Sequence, residues 1–170
     1  KSLSKRDFSR VIIPLQKFGA KFKYRLDYKL PINIYGTTNA KPIKYFEKKG
    51  SAQCKSAVML AALNTKGVTK IKAKKSRDHT EILFKHLKIP IKLKKNKKFD
   101  FIEVKGQKSF SSFNYKIPSD ISSSAFFIVL TILSKKSQLT IKNVNINPSR
   151  IGVITILKKM GIKIVFKNKK

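Results

Sequence analysis

Residues that suit anion binding occur in three short segments of the chain. The segment SAQ at 51–53 opens an apolar helical pattern, where free backbone N–H groups and the helix dipole favour negative charge. Ser76 and Arg77 open the segment SRDHTE, and Arg6 ends the segment SLSKR. A guanidinium grips phosphate or carboxylate through two parallel hydrogen bonds, which lysine does not reproduce.

Each of these residues also has a purely structural interpretation. Ser51 can cap the helix that follows it, because its side-chain oxygen accepts from a free N–H group. Ser76 or Asp78 can cap the next helix in the same way, which would leave Arg77 as a solvated charge. Arg6 is one of forty Lys and Arg residues. Residue types therefore leave binding and structural roles open.

For the other residue types that could do chemistry, the sequence shows no spacing typical of a catalytic or metal-binding motif. Asp120 stands in a Ser-rich helix start, which favours a helix cap over a catalytic carboxylate. Arg150 is interpreted as a loop residue, and neither His79 nor His86 is assigned a role. Cys54 is predicted to be a packed thiol. With two His and one Cys we predict no zinc cluster, no internal disulfide and no cofactor.

The elements that position these residues repeat along the chain. An amphipathic helix, a bend and an alternating strand recur in three segments, at 10–24, 81–95 and 153–167. The bends fall at Gly19, Lys88 and Gly161, and glycine suits a left-handed helix end. The two intervals between bends are 69 and 73 residues. This periodicity indicates a repeat architecture.

A second pattern repeats at the same period. The segments 51–73 and 119–143 each have a Ser-rich start, an apolar helix and a strand, the strands being Val68–Ala73 and Leu139–Asn143. Both helices are apolar nearly all round, so we expect them to be buried. The extended segments LPINIYG and FDFIEVKG lie between the repeats.

One unit therefore follows the order buried helix, strand, amphipathic helix, strand, strand. A complete unit spans 51–118, with the tail of an earlier unit at 1–50 and the front of a later one at 119–170. The pattern predicts an α/β fold of repeated units that bury their faces against each other.

The formal net charge of +32 has three explanations: a nucleic-acid partner, small anionic substrates, or Lys-rich codon usage. Phe99, Phe101 and Tyr115 lie among lysines, as in a basic nucleic-acid-binding module. However, the charge is spread over every predicted surface segment and not gathered in one block. We therefore expect no specific nucleic-acid partner and ascribe most of the excess to solvated faces.

No apolar run reaches the ~18–20 residues that cross a bilayer, and no signal peptide is visible, so no membrane association is expected. The chain opens on Lys and ends soon after a strand-like IKIVF. We expect it to be a fragment of a longer protein, monomeric and cytoplasmic.

Five segments together resemble the 5-enolpyruvylshikimate-3-phosphate synthase family. They are SLSKR at 2–6, SAQCKSAVMLAAL at 51–63, SRDHTE at 76–81, PSDISSSAFF at 118–127 and NPSRIGV at 147–153. Their order and spacing match over all 170 residues. Asp7 stands where the family has Pro and Ser119 where it has Gly, both beside the expected contact residues.

The resemblance implies an inside-out α/β barrel of six βαβαββ-like units in two lobes, incomplete in this chain. It places 1–117 in the first lobe, and a hinge and the start of the second lobe in 118–170. The family transfers the enolpyruvyl group of phosphoenolpyruvate to the 5-hydroxyl of shikimate 3-phosphate, a step of aromatic amino acid synthesis that leads to chorismate.

The resemblance also implies roles for single residues. Ser51 and the Ala52 N–H would hold the phosphate of shikimate 3-phosphate, and Gln53 would touch both substrates. Arg77, with Ser76 as a weaker candidate, would bind shikimate 3-phosphate. The remaining contact, Arg6, would bind phosphoenolpyruvate.

Three further motifs of the family do not occur in these 170 residues: a Lys-Ser start, a Gly-Asn-Ala-Gly-Thr loop and an Arg-Val-Lys-Glu-(Ser/Thr)-Asp-Arg segment. They supply the catalytic lysine and carboxylates, so we assign no catalytic residue here. The alternatives are a UDP-sugar enolpyruvyl transferase of wall synthesis, a basic nucleic-acid-binding module and a non-catalytic relative.

Overall fold

A computed structural model of the chain describes residues 3–106, 109 and 111–167. The chain divides into two compact units, Lys1–Ser112 and Phe113–Lys170. After a 3₁₀ turn at Leu3–Lys5, the first unit contains α1 (Ser9–Phe18), β1 (Lys21–Tyr24), β2 (Ile32–Tyr35), β3 (Lys44–Glu47), α2 (Ala52–Leu63), β4 (Val68–Lys74), α3 (His79–His86), β5 (Ile91–Lys95) and β6 (Phe99–Lys105). The second contains α4 (Ile121–Leu133) and α5 (Gly152–Lys159).

The main sheet has four strands in the order β3-β4-β6-β5. Strand β3 runs parallel to β4, and the other pairs are antiparallel. Residues alternate along β4, with Thr69, Ile71 and Ala73 buried and the lysines between them exposed. This alternation is the period of two that a half-covered sheet requires. A separate hairpin pairs β1 with β2.

Helix α2 supplies the centre of the core. Val58 and Met59 are fully buried, and Ala62 is 1% exposed. They pack with sheet residues that include Ile71 and Ile102. Ala, Leu and Met favour helix formation, and only Val58 is β-branched in this helix. The prediction of a buried helix at this position is therefore confirmed.

The unit predicted over 51–118 is confirmed in order, because the chain follows α2, β4, α3, β5 and β6. The α/β class is confirmed as well. Strand β3 was not predicted, since Lys44–Glu47 is short and carries charge at both ends. The described residues form no closed barrel. The unit boundary lies between Ser112 and Phe113, and the assignment of 1–117 and 118–170 to two lobes stays a prediction.

All three predicted bends share one left-handed geometry. Gly19 and Gly161 have φ of 109° and 88°, and Lys88 has φ of 55°. In each case the next residue donates its N–H to the carbonyl five positions earlier, as from Ile89 to Phe84 at 2.9 Å. This bond is typical of a Schellman helix end. The repeat therefore dictates the turn even where the residue is not glycine.

Two predicted strands of the second unit are absent from the structure. The segments 139–143 and 162–166 have no strand assignment, although both are described. A strand requires a neighbouring backbone as hydrogen-bond partner. In the described part of this unit the pairing is one parallel bridge between Ser119 and Val144, where the Ser119 N–H donates to the Asn143 carbonyl at 2.7 Å.

The prediction that α4 is buried is wrong for this structure. Ile121 and Ser124 are buried, but Phe126 and Leu133 are 79% and 78% exposed. An apolar helix is buried only when another layer covers it. The described residues of this unit contain no sheet that could form such a layer.

Lys88 provides a test of the shared helix end. A left-handed φ costs an L-residue ~1 kcal/mol that glycine avoids. Lys88→Gly should therefore raise the free energy of unfolding by about 0.5–1 kcal/mol, measured by urea titration. Lys85→Gly, an exposed site within α3, should lower it by about 1 kcal/mol. Destabilisation by both changes would contradict the left-handed conformation of Lys88.

Candidate functional site

Two of the three candidate anion-binding segments lie at one edge of the main sheet. Because β3 and β4 are parallel, their carboxyl ends lie side by side, with Glu47 opposite Ala73. Helix α2 begins after β3, and α3 begins after β4. The residues at 51–53 and the Ser76–Arg77 segment are therefore brought to the same edge, although 25 residues separate Ser51 from Ser76.

A tight turn joins β3 to α2 and holds Ser51 in place. The buried Glu47 carboxylate accepts hydrogen bonds from the backbone N–H groups of Lys49 (3.1 Å) and Gly50 (2.5 Å). Gly50 has φ of 74°, and a Cβ there would lie 3.1 Å from the carbonyl oxygen of Lys75. The turn before Ser51 thus packs directly against the backbone that precedes Ser76.

The start of α2 combines a cap with free amides. Ser51 is the N-cap, and its Oγ accepts from the Cys54 N–H at 3.3 Å, which confirms the capping interpretation. The hydroxyl can still donate, since the cap uses it as an acceptor. Ala52 and Gln53 are the first two helical residues, so their N–H groups have no acceptor inside the helix. The Gln53 side chain is exposed.

The Ser76–Arg77 segment also presents unused polar groups. Ser76 Oγ is buried and has no hydrogen-bond partner among the described residues. Arg77 is half-buried, and within the described part of the chain its guanidinium forms no salt bridge. A buried hydroxyl costs free energy unless water or a ligand satisfies it. These groups therefore fit an anion better than they fit a closed protein contact.

Neither Ser76 nor Asp78 makes the side-chain hydrogen bond that was predicted to cap the next helix. Asp78 occupies the N-cap position of α3 but makes no side-chain capping hydrogen bond. Its φ of −116° and ψ of 24° depart from the extended backbone that an N-cap adopts. The carboxylate instead accepts from Lys95 Nζ at 3.0 Å, and this hydrogen bond raises the pKa of Lys95.

Two residues that the sequence analysis did not select connect the candidate segments. Lys55 in α2 is fully buried and forms an ion pair with Glu81 of α3 at 2.5 Å. Lys55 Nζ also donates to the Arg77 carbonyl oxygen at 2.9 Å. The available signal was a lysine within an otherwise apolar helix, because a buried charge needs a partner. Cys54, beside it, is a buried free thiol as predicted.

The buried charges gather at the same edge. Ala73, near the end of β4, pairs with Glu47 on one side and with Asp100 on the other. Asp100 is 3% exposed, and its Oδ1 accepts from Lys75 Nζ at 2.7 Å. In the part of the chain that the structure describes, the buried charged residues are Glu47, Lys55, Glu81 and Asp100.

Arg6 is exposed and follows the 3₁₀ turn, where its N–H donates to the Leu3 carbonyl at 3.1 Å. The first residue of its motif, at position 2, lies outside the described residues. Asp7 accepts from the backbone N–H of Ser9 (2.7 Å) and from its hydroxyl (2.8 Å). These bonds lower the pKa of Asp7, and the charges of Lys49 and Arg10 contribute.

The aromatic residues considered for nucleic-acid stacking belong to two different units of the chain. Phe99 and Phe101 lie with Phe46 around Lys72, whose Nζ is 4.5, 6.0 and 4.9 Å from the respective ring centroids. Tyr115 belongs to the other unit and packs against Phe113. The first three rings are therefore already engaged by a lysine of their own sheet.

Among the described residues, no three His, Cys, Asp or Glu side chains are grouped so that they could hold a metal ion. Within that same part of the chain, every helix is too short or too polar to span a bilayer.

Comparisons with known proteins agree along the whole chain. The family model of EPSP synthase (3-phosphoshikimate 1-carboxyvinyltransferase) matches residues 1–170. The chain is 43% identical over 166 residues to the 3-phosphoshikimate 1-carboxyvinyltransferase of Caldicellulosiruptor bescii, covering 96% of this chain and 38% of that protein. The Petrotoga mobilis protein of the same name is 42% identical over 172 residues, covering 99% and 39%. A solved structure of EPSP synthase from Acinetobacter baumannii matches with a TM-score of 0.80 at 36% identity, covering 94% of this chain and 36% of that one.

The chain therefore belongs to the EPSP synthase family, which confirms the resemblance seen in the motifs. It spans about 38% of the length of the curated relatives it matches.

The Ser-rich start of α4 confirms Asp120 as a helix cap. Its Oδ1 accepts from the Ser122 N–H at 3.2 Å and from Arg150 Nη2 at 2.6 Å. Arg150 Nη2 also contacts Ser122 Oγ at 2.6 Å. The hydrogen bond from Arg150 is the main cause that lowers the pKa of Asp120 below its usual 3.8. Arg150 is thus a loop residue with a structural partner.

This pair predicts a pH dependence. Because the folded pKa of Asp120 is lowered, its stabilising contribution is present above the usual 3.8 and is lost as pH falls through the lowered pKa. In Arg150→Gln the pKa of Asp120 should rise toward 3.8. A carboxyl NMR titration of both proteins measures the difference, with Asp27, a carboxylate of the first unit, as internal control. Equal Asp120 titration curves would exclude the ion pair in solution.

Proposed function

We propose that the protein to which this chain belongs transfers the enolpyruvyl group of phosphoenolpyruvate to the 5-hydroxyl of shikimate 3-phosphate. In this proposal the 170 residues carry mainly the shikimate 3-phosphate half of the site. The observation that supports it best is the meeting of two anion-binding segments at the carboxyl ends of β3 and β4. Both segments match the family motifs.

The phosphate of shikimate 3-phosphate has groups of the required kind at this edge. Ser51 Oγ can donate a hydrogen bond. The Ala52 N–H is a free donor at the N-terminus of α2, which is the positive end of the helix dipole. Arg77 supplies a positive charge and a planar pair of donors. Ser76 Oγ, buried and without a described partner, is suited to a further hydrogen bond.

The second substrate is assigned to two residues. Gln53 presents an exposed amide one residue beyond the α2 start, so it can touch both substrates. Arg6 would bind the phosphate or carboxylate of phosphoenolpyruvate through its guanidinium. The surrounding positive charge would draw both anions toward the site, and salt would weaken this effect.

The alternatives have weaker support. A UDP-sugar enolpyruvyl transferase would share the repeat architecture, but SRDHTE matches the shikimate enzyme more closely. A nucleic-acid-binding module would need rings free for stacking. Phe46, Phe99 and Phe101 instead surround Lys72. The proposal also includes a monomeric protein, a cytoplasmic location and no cofactor; the single buried thiol suits a reducing compartment.

Arg77 provides the direct test of the phosphate site. Arg77→Ala in the whole protein should weaken shikimate 3-phosphate binding by about 2 kcal/mol, or roughly 30-fold in Kd, because a charge-assisted hydrogen-bond pair is lost. Isothermal titration calorimetry measures this, and Arg25→Ala, an exposed arginine between β1 and β2, is the matched control. Equal affinity of Arg77→Ala and the parent would count against the proposed contact.

The half-site assignment predicts no turnover by the 170 residues alone. They lack the three motifs that supply the catalytic lysine, the carboxylates and further phosphoenolpyruvate contacts. A phosphate-release assay with both substrates should show no activity above background for the chain and clear activity for the whole protein. Activity of the isolated chain would refute the half-site assignment.

A further inference from the structure

Lys55 and Glu81 form a buried ion pair that apolar packing does not explain. Their side chains are 0% and 2% exposed, and Lys55 lies in a helix whose other buried residues are apolar. Removing two charges from water is costly, and apolar residues of similar volume are often as stable or more stable. Compared with apolar packing, the pair therefore adds little to the free energy of unfolding, and its other contacts indicate its role.

Lys55 touches both candidate binding segments. Its backbone N–H donates to the Ser51 carbonyl at 3.1 Å, as part of the first turn of α2. Its Nζ donates to the Arg77 carbonyl oxygen at 2.9 Å. One residue thus joins the backbone of the N-cap serine to the backbone of the arginine, across two different loops.

Glu81 supplies the counter-charge that this arrangement needs. Its Oε1 lies 2.5 Å from Lys55 Nζ as a close ion pair, without the angles of a well-aligned hydrogen bond. Its Oε2 has no hydrogen-bond partner within the described part of the chain. The carboxylate therefore depends on Lys55. A second link, between Ser56 Oγ and Thr80 Oγ1 at 2.6 Å, lies beside the pair and ties the same two helices.

The geometry points to Lys55 as the positioning residue that holds the Arg77 backbone against the start of α2, with Glu81 as its buried counter-charge. This inference rests on the proposed function, and it deepens that function by naming what fixes the distance between the two phosphate-binding segments. Lys55 makes the link, and Glu81 places an opposite charge beside its Nζ in the interior. Neither residue is required to touch substrate.

Two variants separate positioning from stability. Lys55→Met/Glu81→Leu replaces the pair by apolar side chains, so the fold should keep its melting temperature within a few degrees while the Arg77 link is lost. Glu81→Gln leaves the Lys55–Arg77 hydrogen bond but removes the counter-charge, so the melting temperature should fall. A purely structural role would make stability and binding change together in both variants.

The binding measurement uses the whole protein and shikimate 3-phosphate in calorimetry. The double variant should bind about tenfold more weakly, the loss expected for one buried hydrogen bond, and Glu81→Gln should bind like the parent at a temperature where both are folded. The KM for phosphoenolpyruvate should stay unchanged in the double variant. Lys70→Met/Glu103→Leu, a solvent-exposed pair on the outer sheet face, is the matched control and should change none of these values.

Amide hydrogen exchange of residues 76–80 provides a readout that needs no ligand. The double variant should exchange faster there than the parent, and Glu81→Gln should not. Unchanged exchange together with unchanged affinity in the double variant would overturn the inference while leaving the proposed function in place. If the parent itself does not bind shikimate 3-phosphate, the proposed function fails, and the exchange result alone then decides whether the pair orders this segment.

Discussion

The parallel pairing of β3 with β4 is the constraint on which the candidate site depends. Parallel neighbours deliver their carboxyl ends to one edge of the sheet, so the helices that follow both begin there. Ser51 and Arg77 are distant in sequence, and this pairing brings the loops that carry them to the same edge. The other two pairings of the sheet are antiparallel and bring no second helix start to this edge.

The second constraint is electrostatic, since the chain has few acids and uses them selectively. Three of its eight acidic residues are Glu47, Glu81 and Asp100, which are buried at or beside the end of β4 or the start of α3. Each holds backbone or a lysine next to a candidate binding segment. Burial of a carboxylate without such a partner would be costly. The fold therefore concentrates negative charge behind the edge that presents positive groups to solvent.

The elements of the first unit follow from local pattern. The periodicity of α1 and α3, the nearly continuous apolar run of α2 and the alternation of β4 and β6 could be predicted, because each depends on neighbouring residues. Strand β3 could not, since four residues with charge at both ends carry little periodic signal. In the second unit the pattern indicated strands at 139–143 and 162–166, but pairing depends on a neighbour that the local sequence does not specify.

By itself, the sequence determined the α/β order of the unit over 51–118, the left-handed helix ends at Gly19 and Gly161, the caps Ser51 and Asp120, and the family to which the chain belongs. These features depend on residue type, local spacing and motif order. Only the tertiary structure decided that Lys55 reaches Glu81 and the Arg77 carbonyl, that Asp78 pairs with Lys95 and does not cap its helix, and that α4 lacks a cover. Contacts between distant segments depend on how strands pair and which layers pack, and these are properties of the whole fold.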